Sequence, residues 1–307
     1  MDNIPWVEKY RPINFDNIIL SPLNKIFFEN IIKKNYFPNM LFYGLPGTGK
    51  TTTIMNMVNK FLKRNSNEFN ESIIHLNASD ERGIDIIRNQ INVFIKSSYL
   101  FNKQLKIIIL DEVDYMTKNA QQALKCILQN TYENVRFCLI CNYISKIDIG
   151  LKNEFICIRF DQLPKLNIIN LIKNICDKEN IDIELDNIEN IYKLYKNDIR
   201  KIINYIQLNN ENNNIIDENV YNNILELIVK KEIDYIDFIN YIHNISIDYN
   251  IDKIEIILIF FNYITYVKID VDDNIYINRL NIIEQVIHNI NNVDIFVILK
   301  YIWYNLT

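Results

Sequence analysis

Met40-Leu-Phe-Tyr-Gly44-Leu-Pro-Gly47-Thr-Gly49-Lys50-Thr51 decides the fold. Met40 to Tyr43 reads as a short apolar strand, Gly44 to Gly49 as a loop, and a helix follows from Lys50. The loop fits G-x-x-x-x-G-K-[ST] in full, in the strand–loop–helix setting that gives the pattern its meaning. The backbone of Gly44, Leu45, Pro46, Gly47, Thr48 and Gly49, together with the helix N-terminus, is suited to surround a β-phosphate. Lys50 reaches the β- and γ-phosphates, Thr51 supplies a hydroxyl to Mg²⁺, and Thr52 continues the same helical turn. Three of the chain's 5 glycines stand in this loop. A glycine kept in a chain that otherwise avoids it has a backbone role.

Outward from the loop, β and α patterns alternate. Ser72 to Leu76, Lys106 to Leu110 and Arg136 to Cys141 read as strands, with helices over Ile84–Lys96 and Lys118–Asn130. Continuous apolar strands joined by helices predict a parallel sheet covered on both faces. In such a sheet the strand C-termini face the ligand crevice. The strand Ile107-Ile-Ile-Leu-Asp111-Glu112 ends in two carboxylates. Beside a phosphate loop, Asp111 falls near the metal, and Glu112 is placed to polarise an attacking water. Alone, the same pair reads as a helix cap or a solvated loop. Asn142 follows the next strand; it can bond the attacking water or the γ-phosphate, or be an ordinary turn asparagine.

Composition sets the bounds. The 307 residues carry a net charge of −5, with 49% hydrophobic and 23% charged residues, which excludes disorder for most of the chain. No secretory signal opens the sequence, and its apolar runs fall short of the ~18–20 residues of a membrane span. An intracellular location follows as the expectation. The 63 isoleucines and 48 asparagines make those two residue types weak signals. The 5 cysteines read as reduced and mostly buried thiols, and Cys138-Leu-Ile-Cys141 lies in an apolar strand with no second pair. All prolines and glycines precede Lys165, so the remainder reads as nearly all helix, with asparagine closing the helices. Residues 1–160 hold 20 Lys+Arg against 15 Asp+Glu, net +5, whereas residues 161–307 hold 13 against 23, net −10. The basic half is therefore the candidate for polyanion contact.

The order of these motifs resembles the AAA+ ATPases and, within them, the small subunits of replication factor C. Trp6-Val-Glu-Lys-Tyr-Arg-Pro12, Asn77-Ala-Ser-Asp-Glu-Arg-Gly83, Asp111-Glu-Val-Asp114, Met116-Thr117, Ala120-Gln121-Gln-Ala-Leu124 and Arg136-Phe-Cys-Leu-Ile-Cys-Asn-Tyr143 carry the resemblance. It is dense over residues 1–165, fair to about 208, and topological beyond. It implies an α/β RecA-like P-loop core over 1–162, a small helical lid over 163–228 and an all-α collar over 229–307. It also implies ATP and Mg²⁺ as ligands, with Val7, Tyr10, Arg11 and Pro12 lining the adenine pocket. Asn142 would be the first sensor. Arg200, in Asn197-Asp-Ile-Arg200 where the family has Gly-Asp-x-Arg, would be the second.

The family's function is the loading of a sliding clamp onto primer–template double-stranded DNA by a hetero-pentamer of replication factor C subunits, in the nucleus of eukaryotes. Arg82 and the stripe Arg88, Asn92, Lys96 would meet the duplex backbone, although a polar stripe alone is a solvated face. Tyr99, Leu100 and Phe101 would contact the clamp; core packing is their ordinary explanation. One departure from the family bears directly on catalysis. Where it carries the arginine finger, in Ser-Arg-Cys, this chain has Asn153-Glu154-Phe155, and an acid cannot stabilise a transferring phosphoryl group. Lys152 beside it would be an imperfect substitute. The alternatives are an ATP-binding architectural subunit with little hydrolysis and an AAA+ motor on branched DNA.

Overall fold

The computed structural model describes residues 4–62, 72–79, 84–96, 105–129, 134–161, 163–195, 198–208, 216–267, 273–290 and 292–306. Five parallel strands form its one sheet among the described residues: β1 (Met40–Gly44), β2 (Ile73–Asn77), β3 (Lys106–Asp111), β4 (Val135–Cys141) and β5 (Ile156–Phe160), in the order β2-β3-β4-β1-β5. The register sets Met40 beside Cys138 on one side and beside Ile156 on the other, and Ile108 between Ile74 and Phe137. β5 is the strand that the sequence pattern did not announce. Its residues alternate between exposed and buried because it is a sheet edge, so it lacks the continuous apolar run of β3.

Alternation along the strands builds two cores. Met40, Phe42, Ile107, Ile109 and Ile140 pack with Phe28 of α2 (Pro22–Lys34) and with Ile54 and Met57 of α3 (Lys50–Phe61). Leu41, Ile108, Leu110, Phe137 and Leu139 face the other way, against Ile91 of α4 (Ile84–Lys96) and Leu124 of α5 (Lys118–Gln129). A short helix, α1 (Trp6–Lys9), precedes these elements, and α6 (Ile149–Lys152) lies between β4 and β5. This explains the run Ile107 to Leu110: every residue in it is fully buried, whichever face it points to.

Beyond β5 every described element is a helix: α7 (Lys165–Glu179), α8 (Leu185–Tyr195), α9 (Ile199–Leu208), α10 (Glu218–Lys230), α11 (Tyr235–Asp248), α12 (Lys253–Val267), α13 (Asp273–Asn289) and α14 (Ile295–Asn305). The chain divides into two compact units, residues 1–175 with 195–203, and residues 176–194 with 204–307. In the second unit, Phe238 packs on Trp303 with ring centroids 5.0 Å apart, and Tyr221 stacks on Tyr263 at 5.8 Å. Asp217 and Asp294 cap α10 and α14 by accepting the backbone N–H groups of Val220 and Phe296. Asn180 and Asn250 end helices with positive φ, as the absence of glycine requires; α10 instead closes on Lys231, φ 51°, which corrects the expectation of asparagine there. No helix among the described residues is long and apolar enough to cross a membrane.

Candidate functional site

The loop after β1 carries two of its glycines, Gly44 and Gly47, for steric reasons. At Gly44, φ 144°, a Cβ would collide with the carbonyl oxygen of Phe160 on β5. Lys50 opens α3 and is nearly fully buried; its Nζ donates to the carbonyl oxygens of Gly44 and Leu45, both at 2.8 Å, and to Asn142 Oδ1 at 2.9 Å. Burial lowers the pKa of this ammonium, and the nearby Asp111 carboxylate opposes the shift in part. Thr48 is buried and its Oγ1 donates to the Leu45 carbonyl at 2.8 Å, fixing the loop from inside. Leu45 and Pro46 form the exposed crest of the loop.

Thr51 Oγ1 donates to Asp111 Oδ2 at 2.7 Å, joining α3 to the end of β3 across 60 residues of sequence. Burial works against the charge of Asp111. The His75 imidazole, 3.8 Å from Oδ2, and hydrogen bonds from Thr51 and the Glu112 N–H outweigh it and hold this carboxyl below its ordinary pKa. Glu112 follows in the left-handed region, φ 57°, while its N–H donates to Asp111 Oδ1 at 2.9 Å. A non-glycine residue held there costs of order 1–3 kcal/mol, and such strain gathers at functional sites. An ionised carboxylate beside a hydroxyl is a pair of hard oxygen donors, the set that suits Mg²⁺. Lys50, Thr51, Asp111 and Asn142 therefore come together as the sequence led one to expect.

A cavity beside the loop is lined by Val7, Tyr10, Arg11 and Pro12 together with Gly47, Thr48, Gly49 and Thr52. Arg11 Nε donates to Thr52 Oγ1 at 3.2 Å, tying the N-terminal segment to α3. Arg200 lines the same cavity with Ile199 and Ile203, and so do Ile18, Ile19 and Leu171. The sequence did not announce these apolar walls: isoleucine in a chain so rich in it carries no signal, and Leu171 sits in an apolar helix with nothing local to set it apart.

Two buried polar residues were also missed as site residues. Asp114 Oδ2 accepts the N–H groups of both Asn142 and Tyr143, each at 3.3 Å, so the turn after β3 holds the end of β4. Gln121, 2% exposed, donates through Nε2 to the carbonyls of Met116 (3.3 Å) and Lys146 (3.1 Å), and its Oε1 accepts the Asp148 N–H at 2.7 Å. A sequence signal existed for both, since each stands in a quoted motif, but nothing local told what they touch.

On α4, Ile91 and Ile95 are buried, Asn92 is half-buried and Lys96 is exposed. Arg82, Tyr99, Leu100, Phe101 and Asn197 lie outside the described residues, and so does the side chain of Arg88. At the position of the departure, Glu154 is exposed just past α6 and Lys152 is half-buried. Cys138 and Cys141 are free, buried thiols on β4; burial raises both pKa values, Cys141 to about 12.

Residues 40–161 match the ATPase family associated with various cellular activities (AAA). Replication factor C subunit 3 of Schizosaccharomyces pombe is 40% identical over 204 residues, covering 66% of this chain and 59% of that protein. The replication factor C small subunit of Sulfolobus acidocaldarius is 38% identical over 232 residues, 76% of this chain and 70% of that one. The chain spans about three fifths of the length of the eukaryotic relatives it matches. A point variant of Thermotoga maritima RuvB shares the fold, with a TM-score of 0.52 at 14% identity over 83% of this chain and 90% of that one.

Proposed function

The chain belongs to the family of replication factor C small subunits, within the AAA ATPases, and from that premise we propose that it is an ATP-dependent clamp-loader subunit. It would help to open a sliding clamp and load it onto primer–template DNA in replication and repair. The observation that carries this reading is the convergence of Lys50, Thr51, Asp111 and Asn142, drawn from three separate elements and joined by hydrogen bonds of 2.7–2.9 Å.

In this reading Lys50 meets the β- and γ-phosphates of ATP, and the loop residues 44–49 cradle them. Thr51 and Asp111 would hold Mg²⁺, which when bound neutralises phosphate charge. Glu112 orients and polarises the attacking water, Asn142 bonds that water or the γ-phosphate, and Arg200 adds positive charge to the same phosphate. Val7, Tyr10, Arg11 and Pro12 wall the adenine. Arg82, Arg88, Asn92 and Lys96 contact the duplex backbone, and Tyr99, Leu100 and Phe101 the clamp. The core, lid and collar of residues 1–162, 163–228 and 229–307 assemble with other replication factor C subunits into a hetero-pentamer, in the nucleus if the cell is eukaryotic. Glu154 supports a further point: this chain withholds an arginine finger from its neighbour, while its own site is completed by another subunit. Efficient hydrolysis therefore needs the hetero-oligomer.

The test uses a reconstituted assembly in which the other chains carry inactivated sites. Glu112→Gln is expected to lower phosphate release by ~10²–10⁴-fold while labelled ATP still crosslinks to this chain. An unchanged rate, or an assembly that ignores millimolar labelled ATP with its fold intact, overturns the reading.

A further inference from the structure

Asp198 stands directly against the phosphate loop. A Cβ placed on Gly47 would run into the Asp198 carboxylate and would come within 2.9 Å of its Cα. Gly47 also has φ 74°, so this approach is available only to a residue without a side chain. The same aspartate begins α9. Its Oδ1 accepts the Lys201 N–H at 3.1 Å, and its carbonyl accepts the Ile202 N–H at 3.0 Å. Two residues on is Arg200, which lines the cavity together with Gly47, Thr48 and Gly49. Its positive charge is felt at Lys50, where it disfavours the protonated ammonium.

Capping alone does not account for this placement. A helix N-cap needs one acceptor oxygen near the third N–H, and serine, asparagine and aspartate supply it about equally well. Contact with the flat face of a loop glycine needs the longer arm of aspartate or asparagine. A cap facing solvent would also leave Gly47 free to be any residue that tolerates positive φ.

We propose that Asp198 is a positioning residue: its side chain, seated on Gly47, sets where the first turn of α9, and Arg200 with it, meets the phosphate loop. The proposal rests on the reading of Arg200 given above. A guanidinium acting on a transferring phosphoryl group is sensitive to placement, and an error of about 1 Å in such a group costs on the order of 10²-fold in rate.

Two measurements test it. In the assembly with the other sites inactivated, Asp198→Asn keeps both cap and arm and is expected to leave kcat within about twofold, whereas Asp198→Ser keeps only the cap and lowers kcat by ~10–100-fold. Both variants should melt at the same temperature, so the difference cannot come from folding. Equal rates for the two variants overturn the proposal. The second measurement needs no nucleotide: a thermal-unfolding cycle on the full chain with Gly47→Ala, Asp198→Ala and the pair. The double variant is expected to melt about 2 °C or more above the sum of the single losses, because removing the carboxylate takes away the two nearest colliding atoms and leaves only the 2.9 Å approach to the backbone at Asp198. Strictly additive losses overturn the contact. A wild-type assembly that hydrolyses no ATP overturns the reading of the previous subsection instead, and the seat on Gly47 is then judged on the cycle alone.

Discussion

The phosphate loop and the helix ends of the second unit both contain backbone with positive φ, yet they meet that demand with different residues. Gly44 and Gly47 adopt φ 144° and 74°, and a Cβ at either would strike Phe160 or Asp198. Asn180, Lys231 and Asn250 adopt φ 56°, 51° and 52° at helix ends and keep full side chains. A left-handed torsion alone costs an ordinary residue roughly 1–2 kcal/mol, which one helix end can absorb. A collision with backbone or with a packed carboxylate has no cheap relief. At Gly44 and Gly47 space as well as torsion demands glycine, whereas at Gly49, φ 83°, torsion alone does.

The comparison breaks most visibly at Gly44. Gly44→Ala is expected to destabilise the chain by about 4 kcal/mol or more, through strain at a position where both φ and a backbone oxygen exclude Cβ. The midpoint of urea unfolding reads it; a loss under about 1 kcal/mol would mean that β5 yields easily and that crowding is not the reason for glycine. Next comes Asp114→Ala. It strands the N–H groups of Asn142 and Tyr143 and is expected to cost ~1–3 kcal/mol, with Asp114→Asn much milder because its amide oxygen still accepts. Equal losses for the two variants would show that the carboxylate does more than accept those bonds.

Alkaline pH separates the two regions by burial. Burial first, and the Asp114 charge second, push the Cys141 thiol up to about 12, while burial pushes Cys176 up to about 11, from an ordinary value of 9.0. The folded thiols stay protonated where the unfolded ones ionise. The stability they contribute is therefore complete below pH 9 and is lost as pH rises through the raised values. Cys141→Ala should flatten the alkaline limb of a stability–pH curve more than Cys176→Ala. The reverse order would show that the sheet half opens to solvent before the helical half. The smallest effect is at a helix end: Lys231→Gly should stabilise by about 0.5 kcal/mol, relief of the left-handed torsion exceeding the entropy cost of glycine. A destabilised variant in thermal unfolding would mean that the Lys231 side chain contributes contacts there.

Much of the first unit was legible before any coordinates. β1, α3, β3 and β4 stand where their patterns placed them, because fully buried parallel strands write continuous apolar runs and a phosphate loop writes its own spacing. β5 was not legible: an edge strand with Cys157 and Arg159 exposed has no such run. Of the site, Lys50, Thr51, Asp111 and Asn142 were named in advance. Ile18, Ile19, Leu171 and Ile203 were not, since a cavity wall of ordinary aliphatic residues, most of them the chain's commonest type, has no local mark. Asp114 and Gln121 were quoted as motif letters without their partners, which lie 25–29 residues away.

The phosphate loop, the carboxylates that follow β3, the alternation of strands and helices and the change to an all-helical second half are all written in the order of residues. Those features depend on neighbours along the chain: a spacing of glycines, a periodicity, a run of apolar residues. The strand order, the bond from Lys50 to Asn142 across 92 residues, the grip of Asp114 on the end of β4 and the approach of Asp198 to Gly47 arise from folding in three dimensions. Each of these is a meeting of atoms far apart in sequence. Its energy depends on a distance of a few ångströms that folding sets and that no local pattern encodes.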